Sequence, residues 1–281
     1  MLVGYLGPRG TFSEEAATRY YRTQDAELRA FSTIYDVLEE VQTGGIDAAV
    51  VPIENTIEGP INITLDSLSE SADLFVQGEI ILSVSQQLLG LEGAVLERIA
   101  EVWSIPPAIA QCRRFIRGLH ARVSHYDSTA AAAAELKRSG RTDVGAIASV
   151  WAARQIGLRI LAPHIQDTAE NHTRFVIATK GQKTLPGAQK TMLLIAPNEE
   201  HVGLLASIVY IFAALNVNLT WIESRPTKTR LGTYQFYLDA EAPLQDDRMD
   251  KAVHILRTLG HSVRILGSYG TCVLGEETIK E

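Results

Sequence analysis

The sequence predicts an α/β protein whose first 182 residues form one α/β region and whose later residues form a smaller ferredoxin-like βαββαβ domain. Three observations predict it. Short apolar runs alternate with helical periodicity up to residue 182. A polar stretch with Gly and Pro, from Lys180 to Gln189, then interrupts the pattern. Beyond it the order of apolar runs and amphipathic segments reads β, α, β, β, α, β.

The elements follow in order. Leu2–Leu6 is a short apolar strand, and Phe12-Ser13-Glu14-Glu15 begins a helix with acids in its first turn. Ile34, Val37, Leu38 and Val41 lie on one face of a second helix. Ala48–Pro52, Leu74–Val84, Glu101–Ser104, Val123–Tyr126, Val144–Ile147 and Thr173–Thr179 read as strands. Asp127-Ser128-Thr129 caps an alanine-rich helix running to Leu136. After a linker over 183–189, the second domain spans 190–270, and 271–281 reads as a tail. Its strands are Thr191–Ala196, Val217–Glu223, Thr233–Leu238 and His261–Leu266. Val202, Leu205, Ile208, Val209, Phe212 and Leu215 mark one helix, and Met249, Val253, Leu256 and Leu259 the other.

Bulk properties exclude several classes. A 46% hydrophobic composition is that of a folded chain. A net charge of -7 argues against nucleic acid as the main partner, because phosphate binding needs a basic face. Cys112 and Cys272 are too few for a disulfide framework, and no basic leader or membrane-length apolar run is present. The expectation is a cytoplasmic protein that needs no membrane.

Candidate chemistry gathers at strand ends, where open α/β sheets bind ligands. Gly7-Pro8-Arg9-Gly10-Thr11-Phe12-Ser13 follows the first strand and opens a helix, whose free N–H groups suit an anion. The spacing is not that of a dinucleotide fingerprint. Asn55 and Thr56 lie past another strand, with Glu54 and Glu58 as acids or plain solvated carboxylates. Gln111 and the pair Ser128 and Thr129 stand at two further strand ends. Asn171-His172-Thr173-Arg174-Phe175 is the densest run. Arg174 suits a carboxylate and Thr173 a shared proton, unless they are a surface Arg and a cap. In a regular strand these two side chains point to opposite faces. None of the seven histidines has zinc-type spacing, and no phosphate loop or nucleophile elbow appears. Neutral donors of this kind suit a substrate that carries its own driving force and needs no cofactor or metal.

Together these blocks resemble the prephenate dehydratase family over essentially the whole chain. They are Gly7–Glu14, Val51–Thr56, Ser128-Thr129-Ala130 and Asn171–Phe175, with Asn218–Pro226 similar to the signature of an ACT regulatory domain. The family departs here at Ser104-Ile105-Pro106, where it usually has His in the middle; Ile105 is expected to fill the cleft wall. The resemblance implies two catalytic lobes like a type II periplasmic binding protein, with the active site in the cleft, followed by the ACT domain. It implies conversion of prephenate to phenylpyruvate with loss of water and carbon dioxide, inhibition by L-phenylalanine, and a homo-oligomer, a tetramer built as a dimer of dimers. It implies Thr173 as the catalytic hydroxyl, assisted by Asn55 or Gln111. It implies Arg174 on the retained carboxylate, with Thr11, Ser13, Ser128, Thr129 and Phe175 lining the substrate site. It implies Gly203, Leu204, Asn216, Val217, Asn218, Leu219, Glu223, Ser224 and Arg225 around the effector. Arogenate dehydratase and a non-catalytic amino-acid sensor are the alternatives.

Overall fold

The computed structural model describes residues 1–182, 187–199 and 201–275. The first lobe contains β1 (Leu2–Leu6), α1 (Phe12–Tyr21), β2 (Glu27–Phe31), α2 (Ile34–Thr43), β3 (Ala48–Asn55), β4 (Gly59–Pro60), α3 (Asn62–Glu70) and β5 (Leu74–Ser83). The second lobe contains β6 (Gln87–Gly90), β7 (Glu101–Ser104), α4 (Pro106–Gln111), α5 (Arg113–Leu119), β8 (Arg122–His125), α6 (Thr129–Ser139), β9 (Val144–Ala148), α7 (Val150–Ile156) and β10 (Arg159–Ala162). The chain then returns through β11 (His172–Lys180) to the first sheet. The C-terminal domain contains β12 (Lys190–Ala196), α8 (Leu204–Ala214), β13 (Leu219–Pro226), β14 (Tyr234–Ala240), α9 (Asp247–Thr258) and β15 (Ser262–Tyr269), with β16 (Thr271–Leu274) following.

Strand order in the first sheet is β16-β5-β11-β3-β1-β2, and in the second β10-β6-β9-β7-β8. Two segments connect these lobes, and they are tied together where Val84 N donates to Asn171 O (2.8 Å) and Ile165 N to Gln86 O (2.9 Å). This is the two-lobed arrangement expected. The C-terminal domain is a four-stranded antiparallel sheet, β13-β14-β12-β15, covered on one face by α8 and α9, as the βαββαβ order requires.

Its other face does not stand free. Met192, Leu194, Tyr237, Leu266 and Tyr269 pack into one core with Val176 and Ala178 of β11 and the α2–α3 layer. Backbones meet closely there: a Cβ on Gly267 would lie 1.8 Å from Val76 O, so only glycine fits. Arg225 makes a bidentate pair with Asp66 of α3 (3.0 and 3.1 Å), and Arg264 donates to Leu68 O (2.9 Å) and Leu74 O (2.8 Å). The two domains therefore share a core across the expected boundary, of which residues 183–186 lie outside the described residues.

One boundary needs correction. Residues 271–281 read as a tail, yet Thr271–Leu274 form β16, paired parallel to β5 in the first sheet. The pairing of these four residues is set by the edge that β5 offers, which the local sequence does not show. The remainder, 276–281, falls outside the described residues.

Candidate active site

A cleft of about 730 Å³ lies between the lobes. Thr11, Ser13, Asn55, Asn171, Thr173 and Phe175 line it from the first lobe. Ile105, Gln111, Ser128 and Thr129 line it from the second. Thr11, Asn55, Ile105 and Ser128 each sit just past or at the end of a strand, β1, β3, β7 and β8 respectively, the edge where α/β sheets bind ligands.

Pairing register explains how Thr173 meets Asn55. In the antiparallel β3–β11 ladder these two residues are direct partners, so their side chains share a face. Asn55 Oδ1 accepts from Ile57 N and Glu58 N, both at 3.0 Å, which fixes the amide orientation. Its Nδ2 then faces Asn171 Oδ1 (2.8 Å), His172 O (3.1 Å) and Thr173 Oγ1 (3.0 Å). Thr173 is thus an acceptor toward Asn55. Its own proton has no acceptor among the described residues, so it is left to donate into the cleft.

Gln111 reaches across from α4. Its Nε2 donates to Glu58 Oε1 (2.9 Å), and its Oε1 accepts from Asn171 Nδ2 (3.1 Å). Gln111 therefore joins the lobes and supports Asn171, one step removed from Thr173. Asn171 is the residue absent from the sequence-based set: it links Asn55 to Gln111 and is 3% exposed. Its place at the head of the Asn171–Phe175 run was the available signal. Glu58, there an undecided loop acid, lines the cleft, as do Gln86 and Asp127. Ile105 lines the wall as expected and packs against the second-lobe core.

The groups that could receive an anion in the cleft are backbone N–H groups. Among the described residues that line it, none is lysine or arginine. Of the described helices that begin at it, two are capped by side chains of lining residues. Thr11 caps α1, accepting from Glu14 N (3.3 Å), and Ser128 caps α6, accepting from Ala131 N (2.9 Å). Each cap leaves N–H groups of the first turn for an anion. Glu14 holds the preceding loop in shape: its buried carboxylate accepts from Gly10 N (2.6 Å), Tyr5 Oη (3.1 Å) and Trp151 Nε1 of the second lobe (2.9 Å). Burial and the neighbouring Glu14 carboxylate raise the Tyr5 hydroxyl well above its ordinary pKa, so it remains a donor.

Arg174 is not in the cleft, which corrects the expected carboxylate clamp. Alternation along β11 sends it to the opposite face from Thr173. There it pairs with Glu79 of β5 and Asp239 of β14, lies 3.2 Å from Tyr269 Oη, and covers the Trp221 ring at 5.1 Å. Burial pushes the Asp239 carboxyl above its usual range against the pull of Arg174. At Glu79, burial pushes up but is outweighed by Arg174, Thr271 and Lys190, which hold its carboxyl low.

The expected effector residues separate into three places. Gly203 starts α8 with φ +85°, and Leu204 is buried behind it. Asn216, Val217, Asn218 and Leu219 lie past the far end of α8, about 16 Å away at 1.5 Å per residue. Asn218 there binds Glu241, Nδ2 to Oε2 at 2.9 Å. Glu223 and Arg225 alternate with exposed Ser224 on the edge strand β13. Arg225 corrects its expectation, because the inward-facing positions of β13 meet the first lobe, where it engages Asp66.

A sequence profile described as prephenate dehydratase matches residues 3–183. The chain belongs to the prephenate dehydratase family. It is 37% identical to the prephenate dehydratase of Lactococcus lactis subsp. lactis, over 98% of this chain and all of that one. It superposes on the crystal structure of the Staphylococcus aureus enzyme with a TM-score of 0.87 at 36% identity, covering 96% of this chain and 100% of the other. The prephenate dehydratase of Arthrobacter aurescens, solved in complex with L-Phe, gives a TM-score of 0.87 at 33% identity, with 96% and 90% covered. No described helix is long and apolar enough to cross a membrane, and no described acidic, His or Cys cluster has the makings of a metal site.

Proposed function

We propose that this protein converts prephenate to phenylpyruvate and is inhibited by L-phenylalanine through its C-terminal domain. The observation that carries the reading is the Thr173 hydroxyl, oriented by Asn55 so that its proton is free to meet a leaving group. In prephenate the bond between ring and carboxylate breaks to release carbon dioxide. Its electrons enter the ring, and the hydroxyl on the opposite carbon departs. The ring becomes aromatic and no electrons leave the substrate, so the reaction needs no redox partner.

The hydroxyl is the poor leaving group, and negative charge grows on its oxygen in the transition state. Thr173 donates a hydrogen bond to that oxygen, while Asn55, donating to Thr173 Oγ1, keeps the threonine from turning its proton away. Threonine is too weak an acid to surrender a proton fully; the proton that completes water comes from solvent in the cleft. The retained pyruvyl carboxylate rests on the N-terminus of α6 beside Ser128 and Thr129. The departing carboxylate is left without a charged partner, since a tight grip on it would stabilise the ground state and slow its loss.

For regulation, Gly203 and Asn218 stand at opposite ends of α8 in one chain. A site that uses both is therefore assembled from two copies of the C-terminal domain, which makes the working protein at least a dimer. Cytoplasmic location and tetramer formation belong to the same reading. The substrate assignment is tested by measuring kcat/KM for prephenate and for arogenate side by side. Prephenate is expected to be preferred; a higher value for arogenate would transfer the chain to that activity.

A further inference from the structure

Five polar side chains at the domain boundary, four of them buried and Lys190 partly so, have no role in the reaction described so far. They are Arg174, Glu79, Asp239, Tyr269 and Lys190. Glu79 and Asp239 are each 0% exposed. Arg174 and Lys190 face Glu79 and Asp239, with Glu54 as a third carboxylate 3.8 Å from Arg174; Lys190 Nζ lies 2.9 Å from Glu79 Oε1, and Tyr269 Oη donates to Asp239 Oδ1 at 3.0 Å. Arg174, on β11, pairs with one carboxylate of each domain, and Glu79 also reaches the C-terminal domain through Lys190. Glu79 belongs to the first sheet, and Asp239 to the C-terminal sheet.

We propose that Arg174 and Asp239 form the link by which the C-terminal domain sets the position of Thr173, so that an amino acid bound to that domain changes turnover through β11. The proposal rests on the prephenate dehydratase reading above. Arg174 is a positioning residue in it. It touches no substrate, but one peptide unit separates it from Thr173.

Four observations support the route. The β3–β11 register shifts between Arg174 and Phe175, so the ladder is irregular where the strand carries the catalytic hydroxyl. Val176 and Ala178 of β11 share a core with the C-terminal sheet, so β11 moves with it rather than sliding past. Asp239 lies two positions along the chain from Glu241, which binds Asn218 through its side chain (2.9 Å) and its backbone N–H (2.8 Å). A physical chain therefore runs from Asn218 to Glu241, along β14 to Asp239, to Arg174 and to Thr173. The remaining described ion pairs between the domains, Arg225 with Asp66 and Lys228 with Asp66 and Glu70, end on α3 and do not touch β11. A shift of Asp239 deprives a buried guanidinium of a partner, which the core resists by moving the strand.

The test compares kcat, KM and L-phenylalanine inhibition in the full-length protein and in Asp239→Asn, with L-phenylalanine binding followed separately by calorimetry. Asparagine keeps the shape and a hydrogen bond but not the charge. Asp239→Asn is expected to bind L-phenylalanine and to lose inhibition by about tenfold or more, within the usual range of coupling between sites. Its change should fall on kcat rather than KM. Asp66→Asn, which breaks the other interdomain pair, should remain inhibited as in the wild type. Asp239→Asn that binds L-phenylalanine and shows the wild-type inhibition overturns the proposal, as does equal loss in both variants, which would indicate simple domain loosening. Should Asp239→Asn fail to fold, Tyr269→Phe removes only the hydroxyl between Asp239 and Arg174, and unaltered inhibition there is equally contrary. Hydrogen exchange at residues 172–175 separates this idea from the enzymatic reading, because it needs no turnover. Added L-phenylalanine should change protection there in the wild type but not in Asp239→Asn. Unchanged protection in a wild type that does bind the amino acid rejects the link whatever the substrate proves to be.

Discussion

Thr173→Ala is expected to lower kcat for prephenate by roughly 10²–10³-fold and leave KM within a few-fold of the wild type, the penalty for losing one donor aimed at developing charge. The split follows from geometry. In the ground state the substrate hydroxyl is neutral and gains little from the threonine. In the transition state its oxygen carries charge, and the Thr173 proton is the one donor that Asn55 has oriented toward it. Serine at the same place keeps the hydroxyl but loses the methyl group that restricts its rotation. Thr173→Ser should therefore retain far more activity than alanine. Equal rates for wild type and Thr173→Ala would remove the hydroxyl from the mechanism. A rise in KM alone would make Thr173 a binding residue instead.

Arg174→Met is expected to cost about 3–5 kcal/mol of stability, because it strips the common cation from two buried carboxylates. On a chain of this size that corresponds to a fall in Tm on the order of 10 °C. Lys190, Thr271 and Tyr269 remain as partners for Glu79 and Asp239, so the loss should not exceed this range. KM for prephenate should stay within about threefold, since the guanidinium lies on the far side of β11 from the cleft and makes none of the uniform contacts whose loss raises KM. A variant with unchanged Tm and a strongly raised KM would return Arg174 to the substrate carboxylate.

Arg174 also shows where the sequence stops being informative. Alternation along a strand was legible, and it placed Thr173 and Arg174 on opposite faces. What it did not contain is which face meets the ligand, and that depends on how β11 is sandwiched between the cleft and the C-terminal sheet. The same gap affected Arg225, whose motif is readable while its direction is set by the partner face of β13. Strong periodicity located α2, α8 and α9 and most central strands, because burial on one side writes itself into residue spacing, while a cap and an alanine run marked α6. The strands left out were β2, β4, β6, β10 and β16. Glu27–Phe31 alternates charge with apolar residues at an edge, Arg159–Ala162 is an edge strand paired, among the described residues, only with Gln87–Gly90, and β16 depends on an edge 192 residues away in the chain. Thr173, Asn55 and Gln111 stood out as donors at strand ends, and the family resemblance supplied their roles. Asn171 headed the densest polar run but was given no role there, and its bonds to Asn55 and Gln111 supply one.

The most direct measurement is phenylpyruvate formation from prephenate by the purified protein, with and without L-phenylalanine. The account predicts turnover that falls as L-phenylalanine is added. Turnover that L-phenylalanine leaves untouched would contradict the regulatory half, and a folded protein inert toward prephenate would contradict the assignment of the cleft itself.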